Sequence, residues 1–202
     1  MTGSGKTTVI NLLMRFYDAQ KGEVLLDGRD VRGYNLADLR RRISVVLQDV
    51  FLFSGNIADN VRLGRDDIDD DSVAESLRAS GALPFVGGLR GGIYEPVAER
   101  GMTFSLGQRQ LLSFARAVAN EPAVYAFDEA TANIDTETER TIQQSVARLS
   151  GNKTIIIVAH RLSTVRTCDV IFVLDKGVLR ESGTHADLLS LGGVYARLNR
   201  TG

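Results

Sequence analysis

The string Gly3-Ser4-Gly5-Lys6-Thr7-Thr8 constrains this chain more than any other feature. Small residues at 3–5 let successive backbone N–H groups converge on an anion. The lysine after them reaches the β and γ phosphates of a nucleoside triphosphate, and the neighbouring hydroxyl ligates Mg²⁺. Val9, Leu12, Leu13 and Phe16 follow at helical spacing, which places the anion at a helix N-terminus, where the dipole favours it. The full spelling G-x-x-x-x-G-K-[ST] asks for one more glycine, and that position falls just before Met1. The motif therefore reads as N-terminally truncated, without its anchoring strand. A loop held only on one side is expected to bind ATP weakly. On this string alone, a Gly/Ser leader ahead of an ordinary amphipathic helix stays open as the alternative.

The 202 residues, 44% of them hydrophobic, suit one packed domain or a core with one inserted subdomain. A formal net charge of -1 provides no bulk attraction for nucleic acid or an anionic membrane, and no nucleic-acid partner is expected. Cys168 is the single cysteine, so no internal disulfide is possible. No run of about 18 apolar residues marks a membrane span, and no targeting segment precedes the loop; the chain reads as soluble, with cytosolic chemistry.

Along the chain, residues 23–26 read as a strand turning at Asp27-Gly28, and Asn35 precedes a short helix reaching Arg42. Residues 43–47 form the next strand, ending on Gln48. From 55 to 116 no convincing strand is visible. The spacing predicts helices over 57–63 and 71–80, a glycine-rich loop over 85–101, and a helix after Ser105 that runs to Asn120. Buried strands return at 123–127 and 154–158, delivering Asp128-Glu129 and His160 to strand ends. Between them a helix over 136–149 is capped by Asp135. A hairpin around Asp175-Lys176-Gly177 and two short helices close the chain. The alternation is that of an α/β sheet with a helical insertion.

Four features thus stand at strand ends: the phosphate loop, Gln48, Asp128-Glu129 and His160. Ligands of open parallel sheets collect at the carboxyl ends of strands, so these residues are expected to share one site. Asp128 and Gln48 suit a Mg²⁺ shell, as does Thr7. Glu129 is placed to orient or deprotonate an attacking water, and His160 to bond the γ phosphate or Glu129. Read alone, Asp128-Glu129 fits a solvated turn and His160 a structural histidine.

These residues resemble the ATP-binding cassette (ABC) ATPases, and among them the nucleotide-binding domains of ABC exporters, over nearly the whole chain. Thr2, Gly3, Ser4, Gly5, Lys6, Thr7 and Thr8 are similar to Walker A without its first glycine, and Gln48 to the Q-loop glutamine. Phe104-Ser105-Leu106-Gly107-Gln108 resembles the family signature, with Leu106 where the family has glycine and a side chain there expected to crowd a nucleotide. Residues 125–129 resemble Walker B with its catalytic glutamate, Ala132-Asn133-Ile134-Asp135 the D-loop, His160 the switch histidine, and Val97-Ala98-Glu99-Arg100-Gly101 an exporter loop that touches transmembrane coupling helices.

The resemblance implies a P-loop NTPase core of α/β class, with a mostly parallel sheet flanked by helices, at 1–54 and 117–202. A helical subdomain at 55–116 would carry the signature. It implies ATP and Mg²⁺ as cofactors, catalysis by Glu129, His160 and Gln48, and metal ligation by Thr7, Gln48 and Asp128. Ser105 and the amides behind it form a second anion site in a chain that already has one, which suggests a dimer. The resemblance places each ATP between Walker A of one nucleotide-binding domain and the signature of a second. It further implies a transmembrane domain upstream, with this domain at the cytoplasmic face of the plasma (inner) membrane. A soluble ABC-type ATPase, or a fragment without turnover, remains the alternative.

Overall fold

The structure, a computed structural model, describes residues 5–128, 134–151, 153–159 and 162–201. Thr2, Gly3, Ser4, Glu129 and His160 lie outside the described residues, as do Ala132 and Asn133. The chain begins with α1 (Lys6–Leu13), the strand pair β1 (Leu25–Leu26) and β2 (Arg29–Asp30), α2 (Leu36–Arg42) and β3 (Ile43–Val46). It continues through β4 (Gly55–Asn56), α3 (Ile57–Arg62), α4 (Asp70–Ser80), α5 (Leu83–Gly87), β5 (Pro96–Val97) and α6 (Leu106–Ala119). Next come β6 (Val124–Asp128), α7 (Thr136–Leu149), β7 (Thr154–Val158) and α8 (Leu162–Val165). The last elements are β8 (Ile171–Asp175), β9 (Val178–Gly183), α9 (His185–Leu191) and α10 (Val194–Thr201). The chain divides into two compact units, Ala37–Ile156 and a second formed by Met1–Leu36 with Ile157–Gly202.

In the Ala37–Ile156 unit, β3 and β6 pair in parallel with Ile43 opposite Val124 and Val46 opposite Phe127. β6 is the middle strand of the order β3-β6-β7. All five of its residues are buried, which is why it reads as an uninterrupted apolar run. Its aromatic residues have a packing reason. Tyr125 stacks on Phe127 with centroids 6.4 Å apart, and Phe127 meets Phe114 of α6 edge-on at 5.2 Å. The bulk that departs from an aliphatic strand thus fills the layer between sheet and helix. Burial pushes the Tyr125 phenol up to about 12.

The helices α3, α4, α6 and α7 of the same unit enclose a cluster that includes Leu52, Ile57, Val73, Leu77, Leu112 and Ile142. α4 starts one residue earlier than its pattern suggests, because Asp69 accepts from the Ser72 amide as N-cap; Gly81, left-handed at φ 81°, closes it. The stretch expected to lack strands contains one short ladder, in which β4 pairs antiparallel with β5, Gly55 opposite Val97 and Asn56 opposite Pro96. Strands of two residues are too short for an alternating pattern to register. The expected loop over 85–101 likewise begins inside α5 and includes 3₁₀ turns at Gly92–Tyr94 and Glu99–Gly101.

In the other unit, β1–β2 and β8–β9 are antiparallel hairpins. Both turn on two left-handed residues, Asp27-Gly28 and Lys176-Gly177, with φ between 49° and 76°. That is the geometry matching the right-handed strand twist. Ile171, Val173, Leu188 and Tyr195 form a core of their own. The Glu181 carboxylate of β9 accepts from the Val194 and Tyr195 amides and so caps α10.

Candidate functional site

α1 opens on Gly5, whose φ of 90° lies in the left-handed region that a side chain disfavours. Lys6, Thr7 and Thr8 form the first helical turn, with Lys6 partly buried and both threonines exposed. Gly5 has no side chain to spend on the amides of that turn, which lie at the positive end of the helix. The β8–β9 turn stands against this position: a Cβ added to Gly5 would lie 3.4 Å from the Gly177 Cα. Sequence reasoning missed this support, since nothing local links the two glycines.

The parallel register of β3 and β6 brings two candidate residues to the carboxyl ends of neighbouring strands, because Gln48 follows Val46 by two residues and Asp128 follows Phe127 directly. Asp128 is buried at 8% exposure, whereas the Gln48 side chain is exposed. The Gln48 backbone is held: its carbonyl accepts from Nε2 of Gln110, on α6, at 2.9 Å. A buried carboxylate and an exposed amide at neighbouring strand ends are the oxygen donors a hard cation prefers. Glu129 follows Asp128 immediately and His160 follows β7 by two residues; both lie outside the described residues, and Lys6–Thr8 belong to the other unit.

Ser105 is the N-cap of α6, accepting from the Gln108 amide at 3.1 Å, while Gln108 Oε1 accepts from the Ser105 amide at 3.0 Å. This reciprocal box follows from serine and glutamine three residues apart, a signal present in the sequence. Phe104 is buried and meets Phe85 edge-on at 6.2 Å. Leu106, expected to crowd a nucleotide, is partly buried and packs against the helical core.

Gly107 is required by close approach. A Cβ there would lie 2.7 Å from Thr138 Oγ1, 3.0 Å from its Cγ2 and 3.1 Å from Asp135 Oδ2. Thr138 cannot swing aside cheaply, since its hydroxyl donates to Asp135 at 2.7 Å while its amide donates to the other carboxylate oxygen at 2.9 Å. These bonds, the backbone one first, hold the Asp135 carboxyl below the ordinary carboxylate range. The cap they make is complete above the unfolded value of about 3.9 and is lost as pH falls through the lowered folded value. Gly107→Ala is expected to destabilise the protein by about 1–3 kcal/mol through overpacking. Thr138→Ala in the same chain should recover part of that loss. Thermal unfolding of the four chains checks this, and strictly additive losses would show that the two sites do not press on one another.

Comparison with known proteins gives a consistent answer. A family model described as ABC transporter matches residues 1–132. The chain is 51% identical over 197 residues to the ABC transporter ATP-binding protein YknV of Bacillus subtilis, spanning 98% of this chain and 33% of that protein. It is 49% identical over 197 residues to a probable multidrug resistance ATP-binding/permease protein, YheH, of the same organism, spanning 98% and 29%. It is 43% identical over 199 residues to an ATP-dependent lipid A-core flippase of Xanthomonas campestris, spanning 98% and 34%. The chain therefore spans about a third of the length of these curated relatives. Among solved structures, a bacterial Atm1-family ABC exporter with ATP bound superimposes at a TM-score of 0.94 and 37% identity, over 100% of this chain and 35% of that one.

Proposed function

The chain belongs to the ABC transporter family, and on that premise we propose that it is the ATP-hydrolysing motor domain of an exporter, closing head to tail with a second such domain around Mg-ATP. The observation that carries this reading is the pair of helix starts. One, at Gly5–Thr8, has lysine and hydroxyl groups suited to phosphates. The other, at Ser105–Gln108, ends in a capping box and a close-packed glycine, and sits in a different unit of the chain. Each favours an anion at its N-terminus. Two anion sites and one nucleotide per chain are best used when a partner supplies the second.

In this reading Thr2, Gly3, Ser4, Gly5, Lys6, Thr7 and Thr8 hold the phosphates, and Thr7, Gln48 and Asp128 hold Mg²⁺. The cation, when bound, offsets phosphate charge. Glu129 orients and deprotonates water, His160 bonds the γ phosphate, and Asp135 fixes the D-loop end against Gly107. Residues 1–54 and 117–202 act as the catalytic core and 55–116 as the helical subdomain. The exposed tip Glu99-Arg100, next to Met102 at 80% exposure, is the surface offered to a transmembrane domain. The working place is then the cytoplasmic face of the plasma (inner) membrane. No helix of the described residues is long and apolar enough to cross a membrane.

A vanadate-sensitive Mg-ATPase assay on the full natural polypeptide tests the reading; absence of turnover would reject it. Ser105→Arg sharpens the test. The variant is expected to fold and to bind Mg-ATP with an affinity within about threefold of the parent, yet to remain monomeric with nucleotide in light scattering, because Ser105 serves the partner's nucleotide. Loss of ATP binding in the isolated monomer would overturn the head-to-tail arrangement.

A further inference from the structure

The segment from Leu47 to Phe53 carries Gln48 and is fastened at two places to α6, the helix that Ser105 begins. At one end, Gln110 donates through Nε2 to the Gln48 carbonyl at 2.9 Å and to the Leu47 carbonyl at 3.4 Å. At the other, Arg116 donates to the Phe51 carbonyl at 3.1 Å, to the Asn60 carbonyl at 2.9 Å and to Asn60 Oδ1 at 3.0 Å. Asn60, buried at 2% exposure, completes the clamp. Its side chain accepts from the Phe53 amide at 2.8 Å and donates to the Phe53 carbonyl at 2.8 Å.

Both fasteners carry a cost that simple packing would avoid. Gln110 is 1% exposed and its Oε1 has no hydrogen-bond partner among the described residues, while its two acceptors belong to residues whose side chains face solvent. A buried, unpaired amide oxygen is unfavourable, and leucine would fill the space without it. Arg116 is desolvated, and its partners among the described residues are uncharged; burial pulls its guanidinium down to about 10. A cation so placed is held by the directions of three oxygen dipoles, and it keeps them only while the 51–53 segment and α3 stay in register with α6.

We infer that Gln110 and Arg116 are positioning residues that make the Gln48 segment and the signature end of α6 move as one body. At about 1.5 Å per residue, Arg116 stands about 16 Å along the helix from Ser105 and Gln110 about 8 Å. A displacement of residues 47–53 when Gln48 meets metal or water is therefore delivered along the helix to Ser105, Gly107 and the Asp135–Thr138 cap behind them. The inference rests on the nucleotide reading above and adds to it the two side chains through which nucleotide state reaches the partner's site.

Gln110→Leu in the full natural polypeptide is the main test. It removes both donors and the unpaired oxygen, so thermal stability should be unchanged or higher. A purely structural residue would then leave activity alone. As a positioning residue it should lower kcat for ATP about tenfold and leave KM within about twofold. Amide hydrogen exchange supplies the second readout. In the parent, Mg²⁺ with a non-hydrolysable ATP analogue should slow exchange in both 47–53 and 105–108. In Gln110→Leu the first segment should still respond and the second should lose most of its response. Arg116→Met should behave likewise and Arg116→Lys should restore part of the coupling. If Arg116→Met does not fold, Gln110→Leu decides alone. Equal responses of both segments in parent and variant, with kcat unchanged, would overturn the inference while leaving the ATPase reading intact. No response of either segment in the parent would overturn the ATPase reading itself, and the inference with it.

Discussion

Glu129→Gln is expected to lower ATP turnover by about 10² to 10⁴, the range supplied by a positioned general base, while Mg-ATP affinity stays within about threefold. The amide keeps the size and shape of the carboxylate and cannot accept the proton of an attacking water. Glu129 follows Asp128 at the end of β6, whose side chains are buried from Val124 onward. With binding intact and hydrolysis blocked, the nucleotide should hold two chains together, and light scattering should show a dimer that persists with ATP and disperses without it. Hydrolysis close to the parent rate would remove Glu129 from catalysis.

Lys6→Ala should produce the opposite separation. Its ammonium group is assigned to the β and γ phosphates, and a hydrogen bond to a charged group contributes about 1.5–3 kcal/mol, so affinity should fall about 10- to 100-fold. The residue is the first of α1 and only partly buried. Its loss should therefore leave the fold unchanged by circular dichroism. Calorimetric titration with Mg-ATP checks the result, and equal affinities in parent and variant would reject the phosphate-loop assignment. Together the two substitutions are expected to separate loss of binding from loss of turnover.

Much of the architecture was legible because its determinants are local. Ser105 and Gln108 close a capping box across three residues, Asp135 caps α7 through Thr138, and Gly81 ends α4 in the left-handed conformation that glycine, unlike residues with a Cβ, adopts without penalty. Asp27-Gly28 and Lys176-Gly177 specify their hairpins in the same way. Two-residue strands such as β4 and β5 escaped notice for the converse reason: a pairing so short is set by its surroundings and leaves no periodic trace.

The sequence by itself determined the α/β class, the caps at Ser105 and Asp135, the end of α4 at Gly81 and the two hairpin turns, since each cap or turn depends on groups within a few residues. The tertiary structure alone decided why Gly107 must be glycine, which is the proximity of Thr138 on another helix. It decided what Tyr125 is for, namely filling the space beside Phe127, and what supports Gly5, which is the turn at Gly177. The clamp between α6 and the Gln48 segment belongs to the same class, because its hydrogen bonds join residues 56 to 65 positions apart. Contacts at such separations depend on how helices and strands come to lie beside one another, and no local pattern of residue types encodes that.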